Sequence, residues 1–193
     1  MIVPAQKLVS VHFFLAAKGM NTIKAQIDQS DYEGYADFLN YQIDGFWLDE
    51  YLDKLYPNQF LKGTVPTLLF DLEGETENKI VWERILPQNS LSLCPILMCP
   101  DDCDFYCTLI IAEIASYEDK ISWLRLGLDH SKLDSPVDIG SRVDWFAKAA
   151  PFVFKREEYL SMLQAFELNY QAKENAYFKT TGSKNYRPPY PWN

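Results

Sequence analysis

Residues 91–126 read LSLCPILMCPDDCDFYCTLIIAEIASYEDKISWLRL, and this stretch decides the fold class. Three apolar runs, 91–98, 107–114 and 121–126, are separated by polar turn signals. Apolar runs separated by turns every eight to twelve residues or so are typical of an antiparallel meander. The run 107–114 is the most apolar, so we expect it at the centre of the sheet. Pro95 in the first run indicates a bulge or an edge position.

Apolar residues recur at helical spacing in two places outside the meander. One set predicts a short amphipathic helix over 48–56, which Pro57 ends. The other predicts a C-terminal helix over 156–166 with an apolar face of Tyr159, Leu160, Leu163 and Phe166. The sequence therefore predicts an α+β fold, in which an antiparallel β-meander sheet is covered by the C-terminal helix and by the short helix near 48–56.

Four further elements are predicted from shorter signals. Asp44-Gly45 within residues 41–47 is a strong hairpin signal. Apolar runs predict strands over 64–72, 79–86 and 151–154. Pro66 favours an edge position for the first of these runs.

The chain length of 193 residues favours a single domain, which we place at residues 1–175. Residues 176–193 form a tail with five aromatic residues and three prolines. Exposed aromatic rings are costly in water, so we expect the tail to dock. It would pack on its own domain or on a second subunit, and the latter would make the chain a homo-oligomer.

The net charge of −9 excludes some classes of partner. A nucleic-acid binder or a binder of anionic membranes needs the opposite sign, so neither partner is expected. Residues 1–147 hold 23 acidic and 11 basic residues, whereas residues 148–193 carry a net charge of +3. An acidic body with exposed aromatic residues is typical of a protein that binds a cationic protein partner.

The apolar stretch at residues 8–17 reads LVSVHFFLAA and invites comparison with a signal peptide. Only Lys7 precedes it as a positive charge, Ser10 and His12 interrupt it, and no clear cleavage site follows. We therefore expect a cytoplasmic protein with reduced cysteines.

Four cysteines lie within 14 residues, at positions 94, 99, 103 and 107. Their spacings of four, three and three residues lack the paired two-residue spacing of zinc knuckles. An extended hairpin would also hold neighbouring cysteines apart, so we expect no structural zinc and no cofactor. A Cys99–Cys107 disulfide is a further expectation for oxidised samples, since the two residues flank one turn.

Several of these segments together resemble an uncharacterised bacterial domain family. Its marks are a cysteine-containing hairpin, an [IV]-x-W strand and a P-F-x-F-x-R-x-x-Y helix start, and the resemblance covers roughly residues 41–166. The matching residues are Cys99, Cys107, Ile121-x-Trp123 and Pro151-Phe-Val-Phe-Lys-Arg-Glu-Glu-Tyr. Lys155 replaces the usual acidic residue, and the hairpin lacks the family's glycines. The resemblance implies the extent of the domain and no particular reaction.

No complete catalytic set is visible in the sequence, so we favour a non-catalytic protein-binding domain. The most concrete form of this hypothesis is an immunity-like inhibitor of a bacterial toxin. The expected partner-binding residues are Trp47, Asp49, Glu50, Asp53, Asp101, Asp102 and Asp104. One alternative is a metal- or thiol-dependent enzyme centred on Cys99, Cys103 and Cys107, and another is a structural oligomerising domain.

Overall fold

Two antiparallel sheets and three helices make up the part of the chain that the computed structural model describes, residues 19–30, 36–88, 90–132 and 135–181. The strands are β1 (Ile23–Asp28), β2 (Phe38–Ile43), β3 (Phe46–Trp47), β4 (Val65–Pro66), β5 (Leu91–Met98), β6 (Leu109–Ser116), β7 (Lys120–Asp129), β8 (Val143–Trp145) and β9 (Phe152–Lys155). The helices are α1 (Leu48–Leu55), α2 (Glu75–Ile85) and α3 (Arg156–Thr181), with a short 3-10 helix at Pro136–Asp138.

The larger sheet contains the predicted meander. Its order is β4-β5-β6-β7-β8, and β9 pairs with the first half of β7. Strand β6 lies between β5 and β7 and is almost entirely buried, as its apolar sequence predicts. The register shifts between Pro95 and Leu97, which confirms the bulge expected at a proline that lacks an N–H group.

The smaller sheet has the order β1-β2-β3 and contains the predicted hairpin. Asp44 and Gly45 join β2 to β3 with φ values of 50° and 87°. Two successive residues with positive φ match the tight turn that suits the twist of a hairpin. The turn leads directly into α1, which packs its buried Leu48 and Leu52 into the core.

A cluster of aromatic rings joins both sheets to α3. The Tyr41 ring of the small sheet lies 5.6 Å from Trp123 of β7 and 5.1 Å from Phe166 of α3. The Tyr159 hydroxyl of α3 donates a hydrogen bond of 2.9 Å to the Ile85 carbonyl and accepts one of 3.2 Å from Trp123 Nε1. The C-terminal helix thus covers the sheet, as predicted.

Helix α3 is longer than the 156–166 segment predicted from its apolar face. It continues through residues 176–181, which the sequence assigned to the tail. The Tyr177 ring lies 5.8 Å from Phe70, and the rest of the tail, residues 182–193, lies outside the described residues. Within the described ranges, none of the helices combines the length and the apolar character that crossing a bilayer requires.

Two strand predictions were wrong. Residues 79–85 belong to α2, and Leu86 caps its C-terminal end. Ile80, Val81 and Ile85 are buried in this helix, although in the sequence they form part of a nearly continuous apolar run. The length of the strand predicted over 64–72 was wrong, since this segment contains only the two-residue strand β4 and turns follow it. The edge position expected from Pro66 is confirmed, because β4 is the terminal strand of the larger sheet. Pro66 cannot donate a ladder hydrogen bond, and the buried leucines after it pack without strand pairing.

Candidate functional site

The loops that carry the predicted site residues leave the large sheet at the same end. Val65 of β4 pairs with Met98 of β5, and Met98 pairs with Leu109 of β6. Residues 60–64 and 99–108 therefore emerge side by side. Helix α1 is fixed to the first of these loops, so we name residues 47–53, 60–63 and 99–107 together the acidic end. These segments contain six carboxylates and one lysine.

Asp49 lies inside the acidic end and is only 4% exposed. Its carboxylate accepts hydrogen bonds from the Gly63 N–H at 2.9 Å and from Asn40 Nδ2 at 3.2 Å. Burial raises the pKa of Asp49 above its ordinary value, although these two hydrogen bonds oppose the effect. Asp49 therefore holds the 60–63 loop in place, and its side chain is shielded from solvent.

The other predicted residues of α1 and β3 differ in exposure. Asp53 Oδ1 accepts a hydrogen bond of 3.0 Å from the Leu61 N–H, so it also fixes the loop. Glu50 is exposed and lies 3.4 Å from Lys62 Nζ. Trp47 is half-buried at the start of the helix. Of the predicted site residues in 47–53, Glu50 and part of Trp47 are therefore accessible to solvent.

The turn from Cys99 to Cys107 has some side chains buried in the protein and others exposed to solvent. Phe105 and Cys103 are buried, whereas Asp101 and Asp102 are exposed. The Cys103 carbonyl accepts a hydrogen bond of 2.8 Å from the Glu73 N–H. Two buried side chains and a backbone hydrogen bond from Glu73 therefore fix the turn, while Asp101 and Asp102 face solvent.

Asp104 has a structural role in this turn. Its Oδ1 accepts a hydrogen bond of 2.8 Å from the Tyr106 N–H, which is the bond of an Asx turn. The side chain is half-buried. Asp104 thus shapes the turn, while Asp101 and Asp102 supply most of its exposed charge.

Two aromatic residues at the acidic end were not among the predicted site residues. Phe60 is 85% exposed and Tyr106 is 66% exposed. Phe60 also has a positive φ of 53°, which is unusual for a bulky residue. The sequence signal was an aromatic residue in a polar turn, Pro57-Asn58-Gln59-Phe60 and Asp104-Phe105-Tyr106, where apolar periodicity is absent.

The structure brings two of the three cysteines of the alternative site together, with Asp102, one of the residues expected beside them, at the same point. The Sγ atoms of Cys99 and Cys107 and a carboxylate oxygen of Asp102 all lie within 4.8 Å of one another. Cys103 Sγ instead donates to the Pro100 carbonyl at 3.3 Å. All four cysteines are thiols in the structure.

The local environment keeps the thiol of Cys107 protonated. Partial burial and then its hydrogen bond with Cys99 raise the pKa of Cys107 to about 11, and Asp102 acts in the same direction. A thiolate is the nucleophilic form of cysteine, so this arrangement does not activate Cys107 for attack on a substrate. In the absence of a metal ion, the three groups form a hydrogen-bonded cluster.

The histidines and the surface groove are other candidate sites for chemistry or binding. His130 and the groove are formed by residues other than those of this cluster. His130 Nε2 lies 3.3 Å from Asp144 Oδ2 on the surface, and His12 lies outside the described residues. An open groove of about 450 Å³ runs between β1 and the first turns of α3. Ile23, Ala25 and Met162 give it apolar walls, and Glu157 and Glu158 lie at its rim.

Comparisons with known proteins add no assignment. No protein-family model matches the chain, no curated protein matches it in sequence, and no solved structure matches its fold. The resemblance to a bacterial domain family therefore stays a sequence-based prediction. The function has to be argued from the residues of this chain.

Proposed function

We propose that this chain is a non-catalytic protein-binding domain whose acidic end binds a cationic protein. The observation that carries the proposal is the pair of exposed aromatic side chains, Phe60 and Tyr106, on adjoining loops of that end. Aromatic residues are enriched at protein interfaces, and tyrosine and tryptophan are the most frequent aromatic anchors of binding energy. Trp47, which precedes α1 in the same group of segments, is half-buried and offers a further partly exposed aromatic ring.

The charges around the two aromatic side chains define the chemistry of the partner. Glu50, Asp101 and Asp102 are exposed, and the chain as a whole carries a net charge of −9. A negative surface speeds the approach of a cationic protein and repels anionic ones, an effect that salt screens. Asp49 and Asp53 contribute indirectly, because they hold the loop that carries Phe60.

The more specific form of the proposal is an immunity-like inhibitor of a bacterial toxin. It is supported by the small acidic domain, by the absence of a complete catalytic set from the sequence, and by the aromatic residues suited to a protein interface. The toxin would present a basic surface, such as one that contacts nucleic acid, and the acidic end would cover it without turnover.

The test is capture of a partner from the organism that encodes this chain, with matched surface variants. The wild-type chain is compared with the double variant Phe60→Ala/Tyr106→Ala and with the control Val137→Ala/Leu168→Ala. The control residues are 57% and 59% exposed but lie in the 3-10 helix and in α3. We expect the acidic-end variant to lose about 2 kcal/mol or more of binding free energy.

The quantity compared is the recovery of one cationic protein whose binding to the wild type saturates. Its recovery by the wild type and the control but not by the acidic-end variant supports the proposal. Equal recovery by all three proteins contradicts the assigned surface. Catalytic turnover that Cys99→Ser or Cys107→Ser abolishes would contradict the non-catalytic function itself.

A metal- or thiol-dependent enzyme is the second candidate function. The observation that favours it is the convergence of Cys99, Asp102 and Cys107. Their exposure to solvent would leave room for a substrate. The test is a screen of hydrolase and oxidoreductase substrates with the wild type, Cys99→Ser and Cys103→Ser. Cys103→Ser is the control, because Cys103 lies in the same turn but its Sγ donates a hydrogen bond to the Pro100 carbonyl.

A further inference from the structure

The turn between β5 and β6 brings two sulfur atoms and one carboxylate to a single point. The ligand atoms of Cys99, Asp102 and Cys107 all lie within 4.8 Å of one another. Zinc binds sulfur at about 2.3 Å and carboxylate oxygen at about 2.0–2.2 Å, so tetrahedral ligand atoms are about 3.6–3.8 Å apart. A small contraction of the three side chains is sufficient to reach that geometry.

We propose that Cys99, Asp102 and Cys107 bind one Zn²⁺ ion per chain. Thiolates select a borderline-soft ion such as zinc over magnesium and calcium, which prefer all-oxygen ligand sets. Three protein ligands leave a fourth position open. Because Asp102 and Cys107 are exposed, that position faces solvent and takes water or a side chain of another molecule.

Two reasons in the sequence argued against zinc: the cysteines lack the paired two-residue spacing, and an extended hairpin would hold them apart. The spacing is unusual for zinc, but the second reason does not hold, because the structure has a compact turn in place of an extended hairpin. Residues 100–107 form turns and bends rather than strand. Cys103 has a left-handed backbone with a φ of 49°, and its N–H donates to the Cys99 carbonyl at 3.1 Å. This turn folds the chain back, so that Asp102 reaches the two thiols while Cys103 points toward Pro100.

Backbone hydrogen bonds hold the ligand residues in place before any ion binds. The Cys99 N–H donates to the Thr108 carbonyl at 2.9 Å, which extends the β5–β6 pairing to the edge of the site. The Cys99 carbonyl in turn accepts the Cys103 N–H at 3.1 Å, so both backbone groups of Cys99 are fixed. When zinc binds, the two thiols release their protons to solvent and the ion becomes bonded to two thiolates and one carboxylate.

The zinc site adjoins the proposed partner surface and shares Asp102 with it, but the residues that decide each proposal differ. Partner binding rests mainly on Phe60 and Tyr106, and metal binding rests on the two thiols together with Asp102. The aromatic double variant keeps all three ligands, and the cysteine variants keep both aromatic side chains. Failure of one proposal is therefore distinguishable from failure of the other.

The experiment titrates the reduced, metal-free, full chain with Co²⁺, whose sulfur charge-transfer absorption reports thiolate ligation, and then displaces it with Zn²⁺. We expect one ion per chain. Cys99→Ser and Cys107→Ser should each weaken binding about 100-fold or more, since even loss of an outer-shell partner costs about 10–100-fold. Asp102→Asn, which keeps both thiols, should weaken it about 10-fold or more.

Cys103→Ser is the matched control in the same turn and should bind Co²⁺ within about threefold of the wild type. Circular dichroism of each metal-free variant verifies folding. The proposal is overturned if the wild type binds no ion with a sulfur band, if Cys99→Ser binds like the wild type, or if Cys103→Ser and Cys99→Ser lose affinity equally.

Discussion

Phe60 combines a strained backbone with an exposed side chain. Its φ of 53° lies in the left-handed region, and its side chain is 85% exposed. That conformation costs an L residue about 1–2 kcal/mol. Because the ring is almost fully exposed, hydrophobic burial offsets little of this cost. Strain of this kind is typical of functional sites, which is why Phe60 is central to the proposed partner surface.

Replacing Phe60 with glycine should therefore raise stability while it removes a binding residue. Glycine adopts positive φ freely, but its greater flexibility in the unfolded chain offsets part of the gain. We expect Phe60→Gly to raise the free energy of unfolding by about 0.5–1 kcal/mol in urea denaturation. The matched control Gly63→Ala, at a φ of 86°, should lower it. A Phe60→Gly variant less stable than the wild type would show that the ring has a structural role.

Asp49 makes stability depend on pH in the direction opposite to an ordinary ion-paired carboxylate. Its pKa is raised in the folded chain, mainly by burial, so the folded state binds a proton more tightly than the unfolded state. The stabilisation is complete below the unfolded pKa of about 3.9 and is lost as pH rises through the folded value. Relative to Asp49→Asn, the wild type should lose stability across that window, measured by urea unfolding at a series of pH values. Parallel curves for the two proteins would contradict this account.

At the scale of elements, α3 is attached to the rest of the fold through Tyr159. The hydroxyl bridges the Ile85 carbonyl at the end of α2 and Trp123 Nε1 in β7. Tyr159→Phe leaves both buried groups without this partner, so we expect a loss of about 1–3 kcal/mol. Tyr177→Phe on the exposed part of the same helix is the control and should change stability by less than about 0.5 kcal/mol. Equal effects in the thermal unfolding of the two variants would contradict the bridging role.

The three meander strands of the larger sheet, β5, β6 and β7, could be predicted from the sequence because strong turn signals separate them. Leu91–Met98 has the predicted bounds, and β6 and β7 differ from their predictions only at their ends. Helix α2 could not be recognised, since the buried Ile80, Val81 and Trp82 are consecutive and favour a strand by composition. Only packing against β5 and its neighbours decides between the two structures.

The candidate site was less predictable than the sheet. Asp49 and Glu50 are neighbours on α1, yet one is buried and the other exposed, because the 60–63 loop folds over one face of the helix. The convergence of Asp102 with Cys99 and Cys107 depends on a left-handed residue at Cys103, for which non-glycine sequences carry no reliable signal. Site residues on loops therefore required the three-dimensional structure.

At the scale of the whole molecule, net charge governs how a partner approaches. The chain carries a net charge of −9, and the segments of the acidic end contain six carboxylates against one lysine. A surface of this sign would orient an approaching cationic protein toward the acidic end before any contact forms. Short-range contacts of Phe60 and Tyr106 would then slow dissociation of the complex.

Amide hydrogen exchange of the chain with and without its captured partner tests the central claim most directly. If the acidic end is the binding surface, exchange in the complex slows in residues 56–64 and 99–108 and is unchanged along the exposed face of α3. Protection confined to α3 or to the β1 groove, with the two loops unchanged, would contradict the account.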